Sequence, residues 1–313
     1  MTGAAAFYCV ADERYFLGAV GMINSLRVVG HDEPVFVLDC GLTAEQREAL
    51  GREATIVHGP RDVLPYMLKT IAPLRHPAEV MVLIDADIVV TRSLGELLER
   101  AAEPRVVAVE NDMDRFMPEW GELLGLGPVR RQPYVSSGLV AVGQPLGEQV
   151  LTQLERLAAR VDPSLAVRSG GDPSYPFHYP EQDVLNAILG SRLAAEQTLA
   201  LPFRLVPYPP FPGVRVVDDR SLRCAYRDGT EPFALHHFGT KPWLEPARHG
   251  PYSRLLRRLL TGPDVPIAVG ERELPNRLRS GLGPWLDRKR VDVAETLHWH
   301  VGDPLARLAG RRG

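Results

Sequence analysis

The chain opens on a short apolar run, Ala5–Ala11, that predicts a buried strand. Ala11–Arg14 breaks it. From Tyr15 to Val29 the apolar residues Phe16, Ala19, Val20, Ile23 and Leu26 recur at helical spacing. Pro34–Asp39 predicts a second strand. Thr43, with Gln46 three residues on, has the form of a capping box and predicts a helix to Leu50. Thr55–Val57 predicts a weak third strand, and Leu64–Leu74 a helix. Val80–Ile84 is a continuous apolar run, and a strand hydrophobic on both faces suits the centre of a parallel sheet. Ser93 then heads a helix through Arg100, and Arg105–Val109 predicts a further strand.

Strands alternating with helices predict a doubly wound α/β sheet. In such sheets ligands sit beyond the carboxyl ends of the strands. Asp12, Asp39 and Asp85 all fall at such ends, so the pattern lets them converge on one crevice. After Glu110 the pattern loosens. Asn111–Pro133 is irregular, Tyr134–Val142 is strand-like and Gln149–Arg160 is helical. Val161–Pro180, rich in Pro, Gly, Ser and Asp, predicts a long loop, a feature that is usually functional in a compact domain. Glu181–Leu189 predicts a helix and Phe233–His237 a late strand. Lys241-Pro242-Trp243 ends the body, which places one domain over residues 1–250 and a basic helical extension over 251–313.

With 313 residues the chain can bury a sizeable core. Its 45% hydrophobic and 24% charged residues exclude bulk disorder. The net charge of -3 gives no reason to expect a nucleic-acid partner. The charge is uneven, however: residues 251–313 hold 12 Lys/Arg against 7 Asp/Glu. There Leu255, Leu256, Leu259 and Leu260 run beside Arg254, Arg257 and Arg258. A basic amphipathic helix of this kind suits an anionic membrane surface. Packing of the leucines on the body is the alternative. Cys9, Cys40 and Cys224 are scattered and form no CxxC pair, which points to a reducing compartment. Neither a signal-peptide pattern nor an apolar run of about 20 residues is present. The expectation is a cytoplasmic protein, peripheral at the inner face of the membrane if the tail meets lipid.

Four segments carry chemistry. Asp85-Ala86-Asp87 leaves the central strand, and two close carboxylates repel unless a cation such as Mg²⁺ or Mn²⁺ neutralises them. His236-His237-Phe238-Gly239-Thr240-Lys241-Pro242-Trp243 offers imidazoles for a metal, a glycine that lets backbone approach a phosphate, and a lysine to pair with it. In Pro180-Glu181-Gln182-Asp183 the acids suit the first turn of a helix, but Gln182 and Asn186, four apart on one face, are not explained by that. Ser136-Ser137-Gly138 places small residues inside an apolar strand, leaving room for a ligand.

Together these segments, over about residues 5–245, resemble the retaining glycosyltransferases of family 8, which include glycogenin and bacterial lipopolysaccharide galactosyltransferases. The resemblance implies a GT-A fold, a Rossmann-like mixed sheet flanked by helices. It also implies a nucleotide-sugar donor, commonly a UDP-hexose, and Mn²⁺ or Mg²⁺. By resemblance Asp85 and Asp87 are the DxD metal ligands, and Asp85 also stands where the family contacts the ribose. The third ligand is His236, with His237 as the alternative, because the His-to-Lys spacing is one residue short of the family's HxxGxxKPW. Gly239 and Lys241 take the diphosphate. Asp12 and Tyr15 take the base-binding roles, with Arg14 where an Asn is often found. Lys69, 16 residues before Asp85, lies near the place of a donor-binding basic residue. Ser136, Ser137 and Gly138 match the family's Asn-Ser-Gly. Glu181, Gln182 and Asp183 match its Asp-Gln-Asp, with Glu181 on the sugar hydroxyls and Gln182 at the reacting face.

The implied activity is transfer of a hexose to an acceptor, with retention. The acceptor class, whether glycan, lipid-linked or small molecule, is not readable, and neither is the oligomeric state. Phe116, Trp120, Tyr175, Phe177 and Tyr179 lie in irregular regions where aromatics either stack on sugars or pack loops. Two other readings remain. Asp85-Ala86-Asp87-Ile88-Val89 also fits the first motif of haloacid-dehalogenase-type phosphatases, with Asp218-Asp219 as a late acidic pair. A GT-A protein that binds a nucleotide-sugar without turnover is the other.

Overall fold

The computed structural model describes residues 5–239, 241–244, 250–270 and scattered positions between 274 and 301. The first half alternates strand and helix as the pattern predicts: β1 (Ala5–Ala11), α1 (Phe16–Val28), β2 (Val35–Asp39), α2 (Ala44–Leu50), β3 (Thr55–His58), α3 (Ile71–Arg75) and β4 (Val80–Ile84). After these come β5 (Ile88–Val90), α4 (Gly95–Ala102), β6 (Val106–Glu110), α5 (Trp120–Leu124), β7 (Val135–Gly143), α6 (Leu146–Ala158) and α7 (Pro180–Arg192). The remaining elements are β8 (Thr198–Leu201), β9 (Arg215–Asp218), β10 (Arg223–Ala225), β11 (Ala234–His236) and α8 (Pro251–Thr261). The capping box is formed: the Gln46 N–H donates to Thr43 Oγ1 and the Thr43 N–H to Gln46 Oε1. The segment predicted as one helix over Leu64–Leu74 divides into a 3-10 turn, Pro65–Leu68, and α3. The loop 161–180 carries two further 3-10 turns.

Seven strands form one sheet in the order β3-β2-β1-β4-β7-β6-β8. β4 is central and wholly buried, as its sequence requires. Its surroundings are mixed rather than parallel: β1 runs beside it parallel, and β7 antiparallel. β7 buries all nine of its residues, because it too has a strand on each side and a helical layer on each face. Where β7 meets β6, Ala108 pairs with Val140 but Val109 pairs with Ser136. Ser137, Gly138 and Leu139 therefore bulge out of that ladder, and a bulge re-aims side chains next to a site. A second small sheet pairs β11 antiparallel with β5, setting His236 opposite Ile88.

Apolar side chains fill both faces of the sheet. One layer joins α1, α4 and α8, and the other joins α3, α5, α6 and α7. Leu255, Leu256, Leu259 and Leu260 are buried in the first, against α1. Of the two readings of that helix, packing on the body is the one realised. Asn24, buried in α1, seals the junction by donating to the carbonyls of Leu259 (2.8 Å) and Ile267 (3.2 Å). Its own oxygen accepts from the Ile267 N–H at 3.0 Å.

Candidate active site

The Asp85–Asp87 turn joins β4 to β5. It is pinned by the Asp85 N–H donating to the Gly138 carbonyl (2.8 Å) and the Ile88 N–H donating to the Asp85 carbonyl (3.1 Å). β11 brings His236 onto this turn. One donor atom from each of Asp85, Asp87 and His236 lies within 4.8 Å of the others. His236 Nε2 is 3.1 Å from Asp87 Oδ1 and 3.8 Å from Asp85 Oδ2. Asp87 Oδ1 is buried and makes no hydrogen bond. Gly138 closes the cradle: a Cβ there would lie 2.5 Å from His236 Cε1 and 3.3 Å from Asp85 Oδ2. Two carboxylates and an imidazole, with one buried oxygen left open, fit a divalent cation of the Mn²⁺ or Mg²⁺ type. His237 points elsewhere. Its ring is buried between Phe211 and Tyr252, and its N–H donates to the Asp87 carbonyl at 2.9 Å.

A lysine answers each carboxylate. Lys69 Nζ lies 2.7 Å from Asp85 Oδ1 and 3.6 Å from Glu181 Oε2, and donates to the Ser137 carbonyl at 3.1 Å. Burial pushes the Lys69 pKa down, but Asp85 and Glu181 outweigh it and the net direction is up. Lys241 Nζ pairs closely with Asp87 Oδ2 and donates to the His237 carbonyl at 2.8 Å. Burial pushes the Asp87 pKa up, but Lys241 and His236 hold it well below the usual carboxylate range. Glu181 is nearly sealed, and its Oε1 is buried without a partner. Burial raises its pKa against the opposing pull of Lys69 and Ser137.

Asp85, Asp87, His236, Lys69 and Glu181 line one cavity of about 460 Å³ that also takes in Asp12, Arg14, Tyr15 and Tyr66. There Asp12 accepts from the Tyr15 N–H at 3.0 Å, shaping the turn after β1. The Pro242-Trp243 segment locks that turn, since the Trp243 Nε1–H donates to the Arg14 carbonyl at 2.7 Å. Gly18 makes the room: a Cβ there would meet Trp243 at 2.6 Å and the Ala86 carbonyl at 2.5 Å. Ser136, Ser137, Gly138, Glu181 and Gln182 line it too, as do Asn111, Asp112, Tyr179, Tyr208 and Phe238. Neither Gly239, at φ 93°, nor Lys241, buried against Asp87, lines the cavity. Thr240 lies outside the described residues.

Not every predicted site residue reaches the cavity. Asp39 is buried where it accepts from the N–H groups of Gly41 and Leu42 and pairs with Arg47. Asp183 is fully buried behind Gln182, held by Arg115, by Tyr134 and by the Tyr179 N–H. Among the five aromatics of the irregular regions only Tyr179 lines the cavity. Trp120 and Phe177 are core residues, and Tyr175 packs on Phe177. Asp218 is spent on a local turn with Arg220 and Ser221, while Asp219 pairs with Arg254, so neither serves the crevice. Asn186 ties α7 to β7, its side chain bonding both the N–H and the carbonyl of Val135. Sequence reasoning misses Tyr208, Phe238 and Arg115 as members of the site. An aromatic beside the paired histidines is the available signal for Phe238, whereas the other two act across long sequence separations.

No protein-family model matches the chain, and no curated protein is found similar to it in sequence. Solved structures are similar in fold. A galactosyltransferase, LgtC, solved with donor and acceptor sugar analogues, is 16% identical with a TM-score of 0.53, over 83% of this chain and 98% of its own. A bifunctional glycosyltransferase, WbbM, solved in its apo form, is 19% identical with a TM-score of 0.54, over 84% of this chain and 50% of its own. At these identities the likeness establishes architecture: a seven-stranded mixed sheet flanked by helices, the GT-A fold.

Proposed function

We propose that this chain is a metal-dependent glycosyltransferase that moves a hexose from a nucleotide-sugar, a UDP-sugar by the family resemblance, to an acceptor hydroxyl with retention. The observation that carries the reading is the gathering of Asp85, Asp87 and His236 on the wall of one cavity, on a GT-A fold. Asp85, Asp87 and His236 would hold Mn²⁺ or Mg²⁺, which supplies positive charge to a departing diphosphate. Lys69, Lys241 and the backbone at Gly239 add to that charge on the donor. Asp12 and Tyr15 take the base. Ser136, Ser137, Gly138 and Glu181 hold the sugar hydroxyls, and Gln182 faces the reacting carbon. Asp183, the third residue of the Asp-Gln-Asp match, acts here from behind Gln182. The acceptor enters beside Tyr179, Tyr208 and Phe238, aromatics of the same lining. The protein supplies position and electrostatics, and the acceptor proton passes to the departing phosphate.

Calorimetry with UDP, with and without Mn²⁺ and against GDP and dTDP, tests this. UDP binding that requires Mn²⁺, followed by hexose transfer from a UDP-sugar, is the expected result. Binding without transfer or donor hydrolysis would favour the non-catalytic reading. Phosphate release from a simple phosphomonoester, with no nucleotide binding, would favour the phosphatase.

With the α8 leucines buried, lipid contact falls to later helical positions, where Leu282, Leu286, Val293 and Leu297 are exposed beside exposed Lys289 and Arg290. No helix among the described residues is long and apolar enough to cross a membrane. A chain ending at Pro275 should keep UDP binding and lose co-sedimentation with anionic vesicles. Retained co-sedimentation would reject lipid contact through this segment.

A further inference from the structure

Gln182 meets the crevice with an amide, and an amide has two unlike ends. One offers lone pairs and the other offers protons. Which end faces the transferred sugar decides whether the group stabilises or opposes positive charge at the reacting carbon. The groups around Gln182 leave one answer.

Asp183 is fully buried and saturated with donors. Arg115 Nε reaches its Oδ1 at 2.9 Å and Arg115 Nη2 its Oδ2 at 3.2 Å, while the Tyr179 N–H donates to Oδ2 at 3.0 Å. Tyr134 completes the set, its hydroxyl donating to Oδ1 at 2.6 Å. A phenol has one proton, so the Tyr134 oxygen can only accept from any other neighbour. That neighbour is Gln182 Nε2, at 2.9 Å. The amide protons of Gln182 are thereby turned toward Tyr134. Its Oε1 is left on the other branch, where it accepts from the Ser137 N–H at 3.1 Å. Ser137 and Gln182 both line the cavity, and the Ser137 N–H takes only one of the two Oε1 lone pairs. The base of the residue is fixed as well, because Asn186 Nδ2 donates to the Gln182 carbonyl at 2.9 Å.

We infer that Tyr134 is a positioning residue: with its proton committed to Asp183, it turns the Gln182 amide so that oxygen, not nitrogen, faces the transferred sugar. This rests on the glycosyltransferase reading for its consequence, though not for its geometry. Arg115 belongs to the same device, since it donates to both Asp183 oxygens and holds the carboxylate in place beside Tyr134.

Two measurements test it. The first is independent of activity: side-chain amide NMR of ¹⁵N-glutamine-labelled protein, with the Gln182 signals identified by their loss in Gln182→Ala. In the wild type the Gln182 NH₂ signals should be shifted and slow to exchange, and Tyr134→Phe should return them to free-amide behaviour. The second is kinetic. Tyr134→Phe should lower kcat about a hundredfold, the order of loss given by a misplaced reacting group, while the donor KM stays unchanged. In the double variant Tyr134→Phe/Gln182→Ala activity should be no lower than in Gln182→Ala alone, since Tyr134 acts through Gln182. Losses that add, or amide signals indifferent to Tyr134→Phe, would overturn the inference. A wild type that shows the protected amide yet binds no nucleotide would overturn the glycosyltransferase reading, and with it any role of Tyr134 in transfer.

Discussion

Gly138→Ala tests the metal cradle without touching a ligand. The added methyl would sit 2.5 Å from His236 Cε1 and 3.3 Å from Asp85 Oδ2. Ordinary carbon contacts need about 3.5–4.0 Å, so the imidazole or strand β7 must give way by about 1 Å. β7 is buried along its whole length and Gly138 accepts from the Asp85 N–H, so the strand resists. His236 resists less, although it is buried with its ring edge-on to Tyr208 at 5.0 Å. Metal–ligand distances tolerate only about 0.2 Å, so a shift of that size takes the imidazole out of reach. The expected results are Mn²⁺-dependent UDP binding weakened at least about 10–100-fold, the cost of disturbing a ligand's support, and a transfer rate reduced further. Overpacking costs about 1–3 kcal/mol, which should lower Tm by several degrees.

A control separates these effects. At Gly190 a Cβ would lie 2.8 Å from both the Arg130 carbonyl and Val129 Cγ1, crowding against backbone in α7 and away from the cavity. Gly190→Ala should lower Tm without weakening nucleotide binding. The assay is calorimetry of UDP with saturating Mn²⁺, beside thermal melts of all three proteins. A folded Gly138→Ala protein that binds Mn²⁺ and UDP like the wild type would refute the cradle.

Two further outcomes concern the scaffold. Asp39→Asn should leave UDP binding intact and cost roughly 1–3 kcal/mol at neutral pH, since hydrogen bonds to a charged group are lost. Burial pushes the Asp39 pKa up, but the Gly41 and Leu42 N–H groups and Arg47 outweigh it, and the folded value lies below 3.8. Stability contributed by a lowered carboxylate is complete above the unfolded pKa and is lost as pH falls through the folded one. Urea melts should therefore show the gap between wild type and Asp39→Asn closing as pH drops below about 3.8, and a constant gap would contradict the assignment. A chain ending at Gly250 removes four buried leucines, each worth about 1.5–3 kcal/mol, a total comparable to the net stability of a whole domain. It should fail to fold, and a soluble 1–250 chain with a cooperative melt would show α8 to be dispensable.

The parts legible in the sequence were those whose signal is local. β4 could be read because a strand covered on both faces must be apolar at every position, and α2 because its capping box lies within four residues. β5, β9 and β10 gave no comparable signal. They are three or four residues long, and β9 is largely exposed, so no alternation develops. Asp12 and Asp39 looked equivalent as carboxylates at strand ends. The strand order parts them: β1 adjoins β4, whereas β2 lies on the far side of β1, so only Asp12 reaches the cavity. Likewise, nothing local chooses between two adjacent histidines. The choice is made by the pairing of β11 with β5, whose register sets His236 opposite Ile88, the residue after Asp87. His236 and His237 project to opposite sides there, one to the carboxylates and one to the core. Tyr134 and Arg115 were illegible for the same reason carried further. Their partner Asp183 stands 49 and 68 residues away in sequence, and only the packing of α7 on β7 brings the three together. The metal cradle and the amide-turning network thus share one construction. Each draws chemical groups from short motifs and is braced by β7, through Gly138 in one and Ser137 in the other, a strand whose antiparallel direction the alternating pattern of the first half gives no reason to expect.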